Sequence, residues 1–354
     1  MNQDVIIIGG GLAGWRAAEA AVNEGASVLL VCNGAGNSPD IHALNCPVLT
    51  EDSVEQNDND TLSSGKYQND RRLVETMCRE SKSLKNEFEF DSVVIRPLGS
   101  TVSRCVSINH SIGAIALAQI KARLKGKVSL EYRTVTAEEV LEIRASDPQV
   151  KIIIATGGWC GKYGFSTNPP YLKGDGLEIA RALGGALKDV DENHVQYEPT
   201  VRLEGSHRGI PVITTLLYEG ARLLDPQGME FLSDVRLNKD ELSKAIFQNG
   251  GYAFYDLTQV PDERLKECNM DLMERIIKVA PAPHSSLGGI VIDPKCHVLD
   301  ADGQIVKGLY ACGEVTAGIH GLNRLGGNGG TAAMVFGSIA GREAALEIKH
   351  DRER

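Results

Sequence analysis

Three runs in the chain carry glycines, polar side chains and helix starts at spacings that suit an anionic ligand. The first, Gly9-Gly10-Gly11-Leu12-Ala13-Gly14, has Gly-x-Gly-x-x-Gly spacing at Gly9, Gly11 and Gly14. A continuous β-branched run, residues 5–8, precedes it, and an alanine-rich helix to about residue 24 follows. In that setting the first glycine makes the turn, the second lets a pyrophosphate reach the backbone, and the third lets the helix pack on the sheet. The second run, residues 308–330, starts as an apolar strand over 309–312 and breaks at Gly313-Glu314. It crosses a glycine-rich loop holding His320 and Arg324, then restarts as an apolar helix over 331–345. Glycines let backbone approach a flat ligand closely. The helix start at Gly329-Gly330-Thr331 offers unpaired N–H groups and a positive dipole end, which suit an anionic ring or a carboxylate. The third run, Ala155-Thr156-Gly157-Gly158, closes an apolar strand over 150–155.

Strand, helix and a second strand over 27–31 make a β-α-β unit around the first run. The acid that usually binds a ribose after the second strand is missing, and Cys32-Asn33 stands there. Its loss weakens an NAD reading more than an FAD reading. The chain's 354 residues suffice for one large domain or two, and 42% hydrophobic with 24% charged residues is ordinary for a soluble globular protein. A net charge of −10 without a basic stripe argues against nucleic acid or an anionic membrane. No apolar run reaches the ~18 residues of a membrane span. The N-terminus enters a strand at once, without the marks of a signal peptide. The eight cysteines include no Cys-x-x-Cys pair, so no iron–sulfur or zinc site is expected within the chain, and free thiols in a reducing cytoplasm fit best.

Residues 51–72 read as a polar, solvated loop, 73–85 as a helix and 88–95 as a strand. An amphipathic helix is expected over 112–124, short strands over 128–132 and 140–143, and a helix over 177–187.

The run Gly308-Leu309-Tyr310-Ala311-Cys312-Gly313-Glu314-Val315, then His320-Gly321-Leu322-Asn323-Arg324-Leu325-Gly326-Gly327-Asn328, closely resembles the C-terminal flavin loop of the fumarate reductase/succinate dehydrogenase flavoprotein family, which includes L-aspartate oxidase. The order Ala155-Thr156-Gly157-Gly158, Thr167-Asn168-Pro169, Gly174-Asp175-Gly176 and Gln196-Tyr197-Glu198-Pro199-Thr200 is also similar to that family's. The resemblance covers residues 4–345. It implies an extended FAD with its pyrophosphate at the turn of Gly9, Gly11, Leu12, Ala13 and Gly14. Cys32 and Asn33 take the place where the family often has a serine-lysine pair. Ser38 and Ala43 match family positions against the flavin ring, where Asn45-Cys46 replaces a glycine pair; His42 either faces the ring or sits on the surface. Ala155, Thr156, Gly157 and Asp175 fall in the flavin-side turns. Gly313, Glu314, Asn328, Gly330 and Thr331 are implied at the ribitol and the pyrimidine edge.

The fold implied is α/β: a Rossmann-type FAD-binding domain from segments 1–199 and 276–354, with a small inserted α+β capping domain over 200–275. The chemistry implied is that of an FAD-dependent oxidoreductase moving hydride between flavin N5 and a small carboxylate, fumarate/succinate-like or amino-acid-like, with an electron-transfer protein as a candidate partner. Three residues carry it over: His284 at the substrate histidine of His-x-x-Met-Gly-Gly, Arg324, whose rigid fork suits a carboxylate, and Lys239 at the proton-transferring arginine, with Arg236 three residues earlier. The family's histidine before Pro-Thr is Glu198 here, and its Thr-Glu substrate contacts fall at Ile213-Thr214. Glu198, Thr214 and Lys239 favour a changed substrate or a lost activity, whereas His284 and Arg324 favour an intact anion site. The second hypothesis is a flavin-binding subunit or degenerate paralogue, serving electron relay or assembly without carboxylate chemistry of its own.

Overall fold

The computed structural model describes residues 3–49, 51–91, 94–109, 111–203, 208–232, 234, 237–268 and 270–353. The β-branched runs build the centre. Val5–Ile8 pairs in parallel with Val28–Cys32 on one side and Lys151–Ile154 on the other. The full six-stranded order is His297–Leu299, Ile305–Ala311, Lys151–Ile154, Val5–Ile8, Val28–Cys32, Ser129–Tyr132, parallel except for the first pairing. Every residue of the three central strands is buried, as continuous apolar strands under helices on both faces should be. Register decides where the site lies. Ile8 and Ala311 both stand opposite Ile154. Gly9, Ala155 and Cys312 therefore leave the sheet side by side, at the carboxyl edge where open parallel sheets bind ligands.

Gly9 has a φ of +125°, and a Cβ there would lie 2.1 Å from the Ala155 carbonyl oxygen. A Cβ at Gly14 would lie 2.0 Å from the Gly9 oxygen, so the helix Leu12–Asn23 starts in contact with the turn. The helix Asn328–Glu353 lies against that first helix at equally short range. A Cβ at Gly337 would meet the Ala13 oxygen at 2.6 Å, and one at Gly341 the Ala17 oxygen at 2.0 Å. The two glycines are about one turn apart, so they open one strip along the helix for the other backbone.

A second, antiparallel sheet of five strands has the order Arg222–Leu224, Ala253–Asp256, Ile276–Ser286, Val195–Arg202, Ile210–Pro211. It carries its own apolar core, including Leu216, Leu223, Tyr255 and Val279, under Leu242 and Ile246 of the helix Lys239–Gln248. That helix opens on a capping box: Asn238 accepts from the Glu241 N–H and Glu241 accepts from the Asn238 N–H.

Several local expectations are corrected. The polar stretch over 51–72 contains the helix Val54–Ser64, capped by Ser53, which accepts from the Gln56 N–H. Its Asn57 and Asp60 face inward onto the fully buried Arg104 guanidinium, which also bonds Asp52 at 3.0 Å. Composition alone reads such a stretch as solvated; a buried cation makes its polar residues interior. The strand expected over 140–143 is the helix Ala137–Ser146, started by Thr136 bonding the Glu139 N–H, with Glu138 and Glu139 in the first turn. Of the strand expected over 88–95, the described residues keep one bridge, Ile95 to Cys105. The helix expected over 177–187 is Asp175–Ala182, ending well short of the strand Leu187–Lys188. Among the described residues no helix is long and apolar enough to cross a membrane, and no cluster of side chains is arranged to hold a metal ion. All eight cysteines are buried and free.

Candidate functional site

A cavity of about 790 Å³ runs from the carboxyl edge of the parallel sheet to the antiparallel sheet. Its sheet-edge end is a backbone cradle. Gly9, Gly11, Leu12 and Ala13 line it, with Cys32, Asn33 and Ser38 on one side and Ala155, Thr156, Gly157 and Asp175 on the other. Ala43, Gly313, Glu314 and Gly330 continue the wall. The Trp15 N–H makes the first bond within its helix, to Gly11, and the Leu12 N–H donates to Ser38 Oγ at 2.7 Å. Ala13 and Gly14 lie between, with N–H groups that helix geometry leaves without internal partners. An elongated cradle ending in a helix N-terminus fits a dinucleotide with its diphosphate there.

Three expected cofactor residues are placed differently. Gly14 does not line the cavity; it holds the helix against the Gly9 turn. Asn328 donates to Thr61 Oγ1 at 3.1 Å, and Thr331 exchanges bonds with the Asn45 backbone at 2.8 Å each way. Both side chains anchor the last helix, and neither residue is on the cavity wall. The Asn33 amide donates to Thr134 Oγ1 at 3.3 Å, so the place of the missing ribose acid is tied to the neighbouring strand's loop. His42 lines the cavity. Arg236 lies outside the described residues.

The far end gathers charge. Gln196, Glu198 and Thr200 alternate along Val195–Arg202 and share one face of the strand. His284 and Ser285 come from the paired strand Ile276–Ser286. Lys239 heads the helix Lys239–Gln248. Its ammonium pairs with Glu198 Oε2, while Glu198 Oε1 accepts from Thr214 at 2.9 Å. Thr214 Oγ1 is 2.6 Å from Thr200 Oγ1, which also reaches the Val212 carbonyl at 2.9 Å. His284 Nε2 stands 3.9 Å from Glu198, and its Nδ1 is 2.8 Å from Thr167 Oγ1. Arg324 donates to Ser285 Oγ at 3.1 Å, and its buried Nε has no partner among the described residues. Gln196 donates to the Arg324 carbonyl at 3.1 Å and to Asn323 Oδ1 at 2.8 Å, fixing the loop that carries the guanidinium. Lys239, His284 and Arg324, named from sequence, thus line one cavity with Glu198 and Thr214.

Burial sets the ionisation states. It pushes the His284 imidazole down to about 3, with the Lys239 charge adding to the effect, so the ring is neutral at ordinary pH. It pushes the His320 imidazole on the wall to about 3 as well, helped by Arg324. Burial raises the Glu198 carboxyl, but the charge of Lys239 and its hydrogen bonds outweigh this and hold it below the usual range. Burial raises the Glu314 carboxyl, against the Ser286 N–H and hydroxyl that bond it at 3.0 and 3.1 Å. The Cys105 and Cys312 thiols beside the cavity are pushed up to about 12, which removes thiolate chemistry. Among the described residues of the cavity wall, Lys239 is paired with Glu198, Arg208 with Asp40 and Arg264 with Glu219, and Arg324 has no carboxylate within ion-pair distance.

Gln196, Ser285 and Thr167 were not singled out as site residues in the sequence. The alternation Gln196, Glu198, Thr200 was the available signal for the first. Nothing local marks the other two, which matter only through the pairing of distant segments.

The family described as "FAD binding domain" matches residues 4–110 and 101–329. A fumarate reductase (cytochrome) of Shewanella frigidimarina is 26% identical over 449 aligned positions, covering 98% of this chain and 77% of the relative. That span exceeds the chain's length, so the relative carries internal segments that this chain lacks. A fumarate reductase (CoM/CoB) subunit from Methanothermobacter marburgensis is 28% identical, covering 99% of this chain and 74% of the relative. An L-aspartate oxidase of Caulobacter vibrioides is 28% identical, covering 97% and 76%. Among solved structures, an E. coli quinol fumarate reductase superposes with a TM-score of 0.83 at 22% identity, covering 99% of this chain and 71% of that one. At that identity the likeness is one of fold.

Proposed function

We propose, for a chain that belongs to the FAD-binding family of the fumarate reductase and L-aspartate oxidase flavoproteins, that its reaction is hydride transfer between flavin N5 and a small carboxylate. The cofactor is FAD, and the protein is an FAD-dependent oxidoreductase. The observation that carries the substrate reading is Arg324. Its Nε is buried without a partner on the wall of the cavity that begins at the dinucleotide cradle. A carboxylate there would take two parallel bonds from one planar fork.

Bound FAD supplies the hydride step itself. Arg324 holds the carboxylate and orients the substrate. Lys239, paired through Nζ with Glu198, is the proposed proton donor. Neutral His284 adds a hydrogen bond without adding charge. Residues 200–275 act as the capping domain over FAD-binding segments 1–199 and 276–354; they supply most of the second apolar core, which Leu98, Ile277 and Val279 join from the flanking segments. An electron-transfer protein is the proposed source or sink of reducing equivalents. A cytoplasmic setting is supported by eight buried thiols without a disulfide.

The test is direct. The purified protein should be yellow, with one FAD per chain and no stoichiometric NAD(P). A panel of small carboxylates should bleach the oxidised flavin or reoxidise the reduced one. Colourless protein that takes up no added FAD would end the reading at its first step. Bound FAD with no response to any carboxylate would end it at the second.

A further inference from the structure

The anion site of the proposed reading is built on Arg324, and a second carboxylate on its far side would meet the buried Glu198 carboxylate. Glu198 occupies the middle of the far end, on the same strand face as Gln196 and Thr200. It is buried, with side-chain exposure of 6%, and its two oxygens already take the Lys239 ammonium and the Thr214 hydroxyl. Lys239 is therefore spent electrostatically on Glu198 and does not offer a free cation to a ligand.

His284 contributes no charge either. Its Nδ1 contact with Thr167 Oγ1 is 2.8 Å, and the same hydroxyl is 3.4 Å from the Pro283 carbonyl. Nε2 is the nitrogen facing Glu198, at 3.9 Å. Burial keeps the ring neutral. Arg324 is the cation with hydrogen-bonding capacity left over: it is tied to Ser285 by one nitrogen, its Nε is unpartnered, and it feels the Glu314 and Glu198 carboxylates without an ion-pair contact to either. Each Glu198 oxygen has a second lone pair beyond the bonds it accepts.

We infer, resting on the carboxylate reading above, that Glu198 is a specificity-determining residue and that the substrate is a monocarboxylate. Its carboxylate lies on Arg324, and its other end presents a hydrogen-bond donor to Glu198: an amide, hydroxyl, ring N–H or ammonium. A dicarboxylate would set a second anion beside the buried Glu198 carboxylate, where like charges repel.

A matched pair of ligands tests this without any variant. Succinate and its half-amide, succinamate, share length and shape and differ by one charge. Titrated against the oxidised FAD-loaded protein near neutral pH, with flavin absorbance as the readout, succinamate should half-saturate at a concentration about tenfold or more below succinate. Glu198→Gln should shrink that ratio to about threefold or less by letting the second carboxylate approach Lys239. Should Glu198→Gln fail to hold FAD, the wild-type ratio decides alone. Succinate binding as tightly as succinamate, or tighter, would overturn the inference and leave the carboxylate site standing. Neither ligand perturbing the flavin would overturn both.

Discussion

Glu198 and Lys239, 41 residues apart in sequence, meet as an ion pair on the cavity wall, the carboxylate from a strand and the ammonium from the first residue of the helix Lys239–Gln248. The pair ties the helix to the sheet beneath it and holds the Lys239 ammonium at the cavity wall. It also makes each partner's removal a change for the other.

Lys239→Met should leave FAD content unchanged, because Lys239 is remote from the dinucleotide turn. Turnover should fall about 10²–10⁴-fold with loss of the proton donor. The variant should also lose stability by about 3–5 kcal/mol, since Glu198 remains buried without its partner. The double variant Glu198→Gln, Lys239→Met should recover much of the melting temperature but none of the turnover. Flavin absorbance, a thermal melt and steady-state rates on the three proteins check this.

Arg324→Lys keeps the charge and loses the fork. The carboxylate concentration for half-maximal flavin bleaching should rise about tenfold to more than a hundredfold, which corresponds to the ~1.5–3 kcal/mol of one charge-assisted contact. FAD content should change little. A titration that superposes on the wild type would remove Arg324 from the substrate site.

Gly11→Val should abolish FAD binding. A Cβ at Gly11 would lie only 3.0 Å from Ser38 Oγ, and the added methyl groups would fill the cradle where the diphosphate meets the helix N-terminus. A variant with normal FAD content would make the turn merely structural.

Stability should fall in mild acid. His284 and His320 are held near 3 in the folded state, against an ordinary value of 6.5. Above pH 6.5 neither state binds these protons. Below it the unfolded chain takes them up and the folded chain does not, until the pH approaches 3. Each histidine therefore costs about 1.4 kcal/mol per pH unit across that window. His320→Asn should flatten the dependence of melting temperature on pH between about 6.5 and 5, measured on protein stripped of FAD.

The parallel sheet and its turns were legible because they are local. Val5–Ile8 with Gly9 to Gly14, and the Ala155 to Gly158 turn, carry their geometry in consecutive residues. What failed to read were segments whose environment is supplied from afar. Val54–Ser64 looks solvated until Arg104 is placed inside it. Residues 140–143 are mostly apolar, as a short strand would be, but Thr136 and two glutamates start a helix. The site divides the same way. Arg324 and His284 announced themselves by type and motif. Ser285 and Thr167 act only because strand pairing brings them beside those two residues.

The close crossing of Gly337 and Gly341 on Ala13 and Ala17 has a consequence for how the protein is made. The helix that begins at the dinucleotide turn leaves the ribosome long before the helix that backs it. The Cys312 thiol beside the Ala13 carbonyl spans 299 residues of sequence. A chain still being translated has the glycine turn but neither Gly313, Glu314 nor Gly330, so the cradle has one wall. Closing so long a loop is slow, and until it closes the apolar strips of both helices stay exposed. FAD capture thus waits until residues 313–341 have been made, and the chain depends on whatever shields that strip in the meantime.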